Sequence, residues 1–149
     1  MQTRGELRID PCTLSADEFA GELELVVPYV GPEVTRVVLD RAAVLTAGLN
    51  ARIALVAVQA LPYPSQFVCP TAIHAYLVDH LTELAEHCPI RVESNIVLAR
   101  SREEGFRHAL KTASTVLVGT PRRFWHTSEE RLARMLAADG HNVALLHIS

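Results

Sequence analysis

The sequence predicts a one-domain α/β protein with a doubly wound, five-stranded parallel sheet and helices on both faces. Short apolar runs alternate with segments whose apolar residues recur at helical spacing, and this alternation occurs four times. The unit at residues 114–148 has a buried strand, a loop, a capped helix and a second buried strand. Because parallel neighbours need a crossover connection, such βαβ units indicate a parallel sheet with right-handed crossovers.

Five apolar runs are predicted as strands because they are short, rich in Val, Leu and Ile, and bounded by Gly, Pro or polar residues. They lie at about 22–28, 52–58, 90–98, 115–118 and 143–148. The third run opens with alternating apolar and polar residues, from Ile90 to Glu93. This alternation is typical of an edge strand with one solvated face. The last run is apolar, as expected of a strand covered on both faces.

Four helices are predicted between these strands, and each has one apolar face. They are placed at about 33–47, at about 72–87, after Ser101 and after Thr127. Glu104 and Glu130 stand three residues after these two hydroxyl residues and complete capping boxes. Gly48 and Gly140 are predicted to end the first and the fourth helix, because Gly adopts the left-handed conformation readily.

Composition indicates one globular domain. The chain has 149 residues, of which 49% are hydrophobic and 21% are charged, and this is enough for a single core. We place the domain at residues 22–149. Residues 1–21 lack a clear pattern and are predicted to be an extension that leans on the domain or frays.

The same numbers exclude several classes of partner. The net charge is −3, so no basic face is indicated and we expect no nucleic acid partner. No apolar run approaches the roughly 20 residues of a membrane span. The start of the chain is not typical of a secretory signal. Cys12, Cys69 and Cys88 are too scattered for a disulfide framework, so we expect reduced thiols and a cytoplasmic location.

Three local strings stand at corresponding places in the repeated βα units. Residues 27–32 (Val-Pro-Tyr-Val-Gly-Pro) end the first strand, 47–51 (Ala-Gly-Leu-Asn-Ala) follow the first helix, and 115–120 (Thr-Val-Leu-Val-Gly-Thr) form the fourth strand. Together with the apolar last strand, they resemble the universal stress protein family over about residues 23–148. The resemblance implies the strand order 3-2-1-4-5, as in the related adenine nucleotide α-hydrolase-like group, and a role in regulation or stress response.

The nucleotide motif of that family is altered in this chain. ATP-binding members place an Asp where this chain has Val30. The second Gly of their Gly-x-x-Gly motif falls on Arg122, and a later Gly-Ser or Gly-Thr falls on Thr127-Ser128. Those glycines would let backbone N–H groups approach phosphates, but only Gly119 and a hydroxyl near the helix start remain in this chain. The resemblance therefore implies a protein that is not a conventional ATP binder.

The strand order implied by the resemblance also predicts where a ligand would lie. The crevice forms where the first and the fourth strand part, and both of their loops face it. If the chain binds a nucleotide there, the resemblance implies ATP or AMP, with Val58 lining an adenine slot. The candidate ligand-binding residues are Pro28, Tyr29, Val30, Val58, Gly119, Thr120, Arg122, Arg123, Thr127 and Ser128.

The loop at residues 121–126 has two interpretations. Arg122 and Arg123, with the helix N-terminus after Thr127, would suit a phosphate or another anion. Alternatively, they are two exposed surface arginines beside a packed Trp125 and His126. Glu129 and Glu130 face the same end and would oppose an anion.

No catalytic set and no metal site is predicted. The chain lacks a Gly-x-Gly-x-x-Gly fingerprint, a phosphate-binding Gly-Lys-Ser/Thr and a Gly-x-Ser-x-Gly elbow. His74, His80 and His87 share a helix, but no acidic or Cys partner stands at ligand spacing, so surface or half-buried histidine is the better interpretation. Cys88 continues the apolar face of this helix and is predicted to pack in the core.

The last strand predicts a homodimer. In the order 3-2-1-4-5 it lies at a sheet edge, and a bare apolar edge invites pairing. Members of the resembled family often dimerise through this strand. The predicted contact residues are Val143, Ala144, Leu145, Leu146, His147 and Ile148.

Three functional hypotheses remain open at this level. The first is a dimeric, cytoplasmic, non-enzymatic regulatory domain, with an unidentified protein partner. The second is an adenine-nucleotide binder with an altered phosphate loop. The third is a small nucleotide hydrolase, which the missing acidic and glycine-rich elements disfavour.

Overall fold

A six-stranded parallel sheet forms the centre of the molecule. The structure, a computed structural model, describes residues 7–8, 23–48, 50–60, 71–110, 114–121 and 127–148. In chain order the elements are β1 (Leu7–Arg8), β2 (Leu23–Pro28), α1 (Pro32–Leu45), β3 (Ala51–Ala60), α2 (Thr71–His87), β4 (Val92–Ala99), α3 (Arg102–Ala109), β5 (Thr115–Pro121), α4 (Ser128–Ala138) and β6 (Asn142–Ile148).

The strands are ordered β1-β6-β5-β2-β3-β4 across the sheet. The five predicted strands are β2 to β6, and their arrangement confirms the order 3-2-1-4-5. The predicted edge position of the third strand is also confirmed, because β4 is the terminal strand beside β3. In the described part of the chain, four helices connect these five strands, as predicted.

Two hydrophobic cores cover the two faces of the sheet. On one face α1 and α2 bury residues such as Leu39 and Leu81 against Leu25, Leu55 and Leu117. On the other face α3 and α4 bury Phe106, Leu132 and Leu136 against a second set of strand residues. This division follows from the topology, because the connections move to the opposite face when the strand order reverses.

Caps and breakers define the helix ends where the sequence places them. The Ser101 Oγ accepts a hydrogen bond from the Glu104 N–H at 3.2 Å, and the Thr127 Oγ1 accepts one from the Glu130 N–H at 3.1 Å. Gly140 follows α4 with a φ of 102°. Helix α1 ends at Leu45, slightly earlier than predicted, with Thr46 as its C-cap.

The prediction of a bare edge at the last strand is wrong over part of its length. Leu7 pairs with Val143 and Arg8 pairs with Ala144, so β1 adds a short parallel strand outside β6. The sequence of residues 1–21 has no strand pattern strong enough to predict this pairing. A strand of two residues depends more on the strand it pairs with than on a pattern in its own sequence. Cys12 and Cys69 lie outside the described residues, whereas Cys88 is free and half-buried against the α1–α2 core.

Candidate functional site

The candidate site is the crevice where β2 and β5 part. These two strands pair in register only at Leu25–Thr115 and Val26–Val116. Beyond that point β2 leads into α1 on one face, and β5 leads towards α4 on the other face. Their carboxyl ends therefore separate at a topological switch point, which is where open α/β sheets usually bind ligands.

Two backbone N–H groups on the β2 side of the crevice already have hydrogen-bond acceptors. The Tyr29 N–H donates to the Val56 carbonyl oxygen at 2.8 Å, and the Val30 N–H donates to the Thr35 Oγ1 at 3.1 Å. Thr35 is fully buried in the first turn of α1. The Val30 N–H group therefore already has a hydrogen-bond acceptor, and the Val30 side chain is apolar.

Gly119 allows α1 to approach β5 closely. A Cβ atom at this position would overlap the Val38 side chain and would lie 2.8 Å from the Val34 Cγ1. Contacts this short do not occur without a shift of the surrounding structure. The glycine therefore has a packing function at the α1–β5 contact, because the space that a side chain would occupy is already filled from α1.

A chain of hydroxyl groups closes the β5 side of the crevice. Thr120 is fully buried, and its Oγ1 lies 2.6 Å from the Thr127 Oγ1. The same Thr127 oxygen accepts from the Glu130 N–H at 3.1 Å. One N–H of the α4 N-terminus is therefore capped from within the protein, which reduces what this terminus offers to an anion.

Negative charge further disfavours an anion at the start of α4. Glu129 and Glu130 occupy its first turn. The Ser128 Oγ donates to the Glu129 Oε1 at 3.1 Å, and the Arg102 Nη1 contacts the same oxygen at 3.4 Å. Glu129 thus links the N-termini of α3 and α4, and the arginine nearest to this end in α3 already pairs with a carboxylate.

The predicted site residues fall into three groups. Six of them lie together at the carboxyl edge of β2 and β5 or at the start of α4: Pro28, Tyr29, Val30, Gly119, Thr120 and Thr127, with Ser128 beside them. Val58 lies on the α3–α4 face, where a Cβ on Gly105 would lie 2.7 Å from its Cγ2. Tyr29 packs on the α1–α2 face, so the structure does not bring it together with Val58. Arg122, Arg123, Trp125 and His126 lie outside the described residues.

An aromatic cluster beside the crevice was missed by the sequence analysis. The Tyr29 and His80 rings meet edge to face with centroids 5.7 Å apart, and Tyr76 stacks on His80 at 6.0 Å. Burial raises the pKa of the Tyr29 hydroxyl, and Tyr76 raises it further. Tyr76 and His80 stand four apart on α2, which is a helical-face signal. Their meeting with Tyr29, however, depends on the packing of α2.

Two buried polar atoms have no hydrogen-bond partner in the described part of the chain. They are the Nε2 of His80, which belongs to this cluster, and the Oε1 of Gln59. By strand alternation, Gln59 shares the α1–α2 face with Leu55 and Ala57, and it lies at the carboxyl end of β3. Buried polar atoms are normally paired, so these two are sites at which a polar ligand atom would gain a bond.

A separate groove of about 350 Å³ lies at the opposite end of the sheet on the α3 side. Val26 and Ala54 line it, and at its rim Arg52 contacts Glu24 at 2.6 Å. No predicted site residue lines this groove. Because its charged rim residues are already paired, we place the candidate site at the crevice.

Metal binding finds no support among the residues that the structure describes. No group of three or more His, Cys, Asp or Glu side chains is placed to hold an ion there. His147, predicted as a contact residue of the homodimer, is exposed near the end of β6. Within the described ranges, no helix combines the length and the apolar character that crossing a membrane requires.

The fold and the crevice define a doubly wound α/β protein with its candidate site at the switch point between two central strands. No family model matches the chain, and no curated protein matches it. Among solved structures, a universal stress protein from Archaeoglobus fulgidus superposes with a TM-score of 0.58 and 15% identity, covering 83% of this chain and 92% of its own. A universal stress protein in complex with cAMP superposes with a TM-score of 0.52 and 18% identity, covering 85% and 98%. The chain has the universal stress protein fold.

Proposed function

We propose that the protein is a universal-stress-protein-like regulatory domain that acts in the cytoplasm, performs no catalysis and does not bind ATP in the conventional way. The fold supports the regulatory class. The observation that carries the proposal is that the described residues at the carboxyl ends of β2 and β5 offer few groups to a phosphate. There Val30 is bonded to Thr35, the space above Gly119 is filled from α1, and Thr127 caps α4.

Each of these contacts acts against a triphosphate for a physical reason. A phosphate chain needs several free N–H donors, but Thr35 and Thr127 accept from two of those at the crevice. It also avoids negative charge, but Glu129 and Glu130 stand in the first turn of α4. The N–H groups that are already paired and the acidic first turn of α4 therefore both disfavour the binding of a triphosphate.

Isothermal titration of ATP with magnesium into the purified protein tests this proposal. A separate aliquot is first denatured and its supernatant is checked for nucleotide absorbance. This control excludes that nucleotide already bound to the protein masks the result. We expect no measurable heat at tens of micromolar protein. Micromolar binding would contradict the proposal, and loss of that binding in Arg122→Ala would assign it to the arginine loop. Conversion of ATP to ADP or AMP in the same sample would indicate the hydrolase class.

Adenine-nucleotide binding with altered phosphate contacts is the second candidate. It is favoured by the aromatic cluster of Tyr29, Tyr76 and His80 and by the unpartnered atoms of His80 and Gln59. A planar, hydrogen-bonding ligand such as a purine suits stacked rings next to free polar atoms. The structural neighbour in complex with cAMP adds support for this class of ligand.

Titration of AMP and cAMP distinguishes the second candidate. Tyr76 is 64% exposed, so Tyr76→Ala should leave the core intact while removing one stacking ring. Val78 lies on the same helix, is 40% exposed and serves as the matched control. If a nucleotide binds at the cluster, we expect Tyr76→Ala to weaken it about tenfold, or about 1.4 kcal/mol. Val78→Ala should bind like the unaltered protein.

We also propose a homodimer formed through the β6 edge, as the resemblance implies. The Val143, Ala144 and Leu145 side chains are buried within the protein's own cores. A second copy would therefore contact this edge mainly through backbone groups and through Leu146, His147 and Ile148. Sedimentation velocity at micromolar concentration tests the dimer, and a monomer at that concentration would contradict it. An unidentified protein partner remains part of the proposal.

A further inference from the structure

We propose that the N-terminal strand β1 competes with a second copy of the chain for the outer edge of β6, and so controls self-association. This inference rests on the dimer proposed above and adds its regulation. The structure itself shows that this edge accepts an added strand, because Leu7 and Arg8 pair with Val143 and Ala144 in parallel. Addition of a strand to an exposed sheet edge is a general mode of association.

The register limits what remains for a partner while β1 is in place. Within the described residues, no strand pairs with the outer side of residues 145–148. A second copy related by a two-fold axis perpendicular to the sheet would pair antiparallel with this edge. With β1 bound, its pairing is restricted to residues 145–148. With β1 released, the full length of β6, Asn142–Ile148, becomes available.

The β1 pairing is small enough to be displaced. Within the described residues, it consists of two residue pairs beside β6, with further contact to α4. A pairing of this length at a sheet edge opens at lower free-energy cost than the pairing of central strands. The buried Val143 and Ala144 side chains do not depend on β1 for their place in the sheet, because both residues also pair with β5.

The connection between β1 and β2 is long enough to let β1 leave the edge. Residues 9–22 join β1 to β2, and β1 lies three strand positions away from β2. Three positions correspond to roughly 14 Å, at about 4.8 Å per neighbouring strand. A segment of this length spans up to roughly 45 Å when extended, so β1 is able to leave without a change in β2.

The test compares three forms of the chain by sedimentation velocity over a range of concentrations. They are the full chain, a variant lacking residues 2–8, and the double substitution Leu7→Pro with Arg8→Pro, which removes two backbone donors. Thr3→Pro, outside β1, is the matched control. We expect the deletion and the double substitution to tighten the dimer by about tenfold or more. Thr3→Pro should behave like the full chain.

Each outcome separates this inference from the proposed dimer. Equal dimerisation of all forms would overturn the competition and leave the dimer standing. Monomers throughout would overturn both. A weaker dimer after deletion would show that β1 belongs to the interface and would overturn the competition.

A further substitution locates the contact. His147→Glu in the deletion variant adds a negative charge to the β6 edge of each copy, and it should weaken the tightened dimer if the contact is the β6 edge. Circular dichroism verifies that each form is folded. If the deletion variant does not fold, the double substitution decides.

Discussion

His141 shows how a single buried residue makes the fold sensitive to pH. Its side chain is 5% exposed, and its Nδ1 accepts a hydrogen bond from the Ser114 N–H at 3.1 Å. Burial lowers the pKa of this imidazole below its ordinary value of 6.5, and the charge of Asp139 offsets part of this effect. An accepting Nδ1 carries no proton, so protonation at that nitrogen would remove the bond to Ser114.

Stability should therefore fall on acidification in a way that depends on His141. The unfolded chain binds this proton more tightly than the folded chain, so the free energy of unfolding decreases as pH falls below about 6.5. The loss is complete once the pH is below the lowered folded pKa. Urea unfolding at pH 7.5 and at pH 5 measures this loss of unfolding free energy. In His141→Gln, whose amide oxygen can accept from Ser114, we expect a smaller difference between the two pH values.

Exposed His74 on α2 provides the control for this measurement. His74→Gln should retain the pH dependence of the unaltered protein. If the stability of His141→Gln and that of His74→Gln change by the same amount between the two pH values, His141 is not the group responsible. The sequence did not single out His141, because nothing in its neighbours indicates that Ser114 will lie against it.

At the scale of the element, helix α4 is tied to the sheet through one hydroxyl group. Thr127 caps the helix through Glu130 and also meets the buried Thr120 of β5. The cap itself was predictable from the Thr-x-x-Glu spacing. The second contact was not, because Thr120 and Thr127 are separated by a loop whose path the sequence does not specify.

Removal of the Thr127 hydroxyl should lower the free energy of unfolding more than removal of an ordinary helix cap. We expect Thr127→Ala to lower the free energy of unfolding by about 1–2 kcal/mol, because an N-cap is lost and the Thr120 hydroxyl loses a partner. Ser101→Ala removes only the exposed cap of α3 and should cost about 0.5–1 kcal/mol. Thr127→Ser should recover most of the loss. An equal loss of unfolding free energy in Thr127→Ala and Ser101→Ala would contradict an added stabilising role of the Thr120 contact.

At the scale of the whole molecule, the sheet is most deeply buried at its centre and open at one long edge. Val116, Leu117 and Val118 of β5 are fully buried, because helices cover both faces there. Strand β4 lies at the edge, and Glu93 to Asn95 are exposed. Stability is therefore expected to differ between the strands, although all of them belong to one sheet.

Amide hydrogen exchange should reveal this gradient. We expect the amides of β5 and β2 to exchange only through global unfolding, because they lie between other strands and beneath two cores. The amides of β4 around Glu93–Asn95 should exchange faster by local opening, and those of Leu7 and Arg8 fastest. Exchange followed by mass spectrometry or NMR at neutral pH measures these rates. Uniform protection across β4 and β5 would contradict the gradient.

The sequence by itself determined the class of fold, the succession of strands and helices, and both capping boxes. These features depend on local patterns of apolar residues, hydroxyls and glycines, which can be recognised within short windows of the sequence. It also located the carboxyl ends of β2 and β5 as the candidate site, once the resemblance supplied the strand order.

Only the tertiary structure decided what closes that site and what covers the last strand. The packing of Val34 and Val38 over Gly119, the Thr120–Thr127 contact and the aromatic cluster around His80 each join residues from different elements. The pairing of Leu7 with Val143 joins the two ends of the chain. Such contacts depend on how whole elements pack, and local periodicity carries no information about that packing.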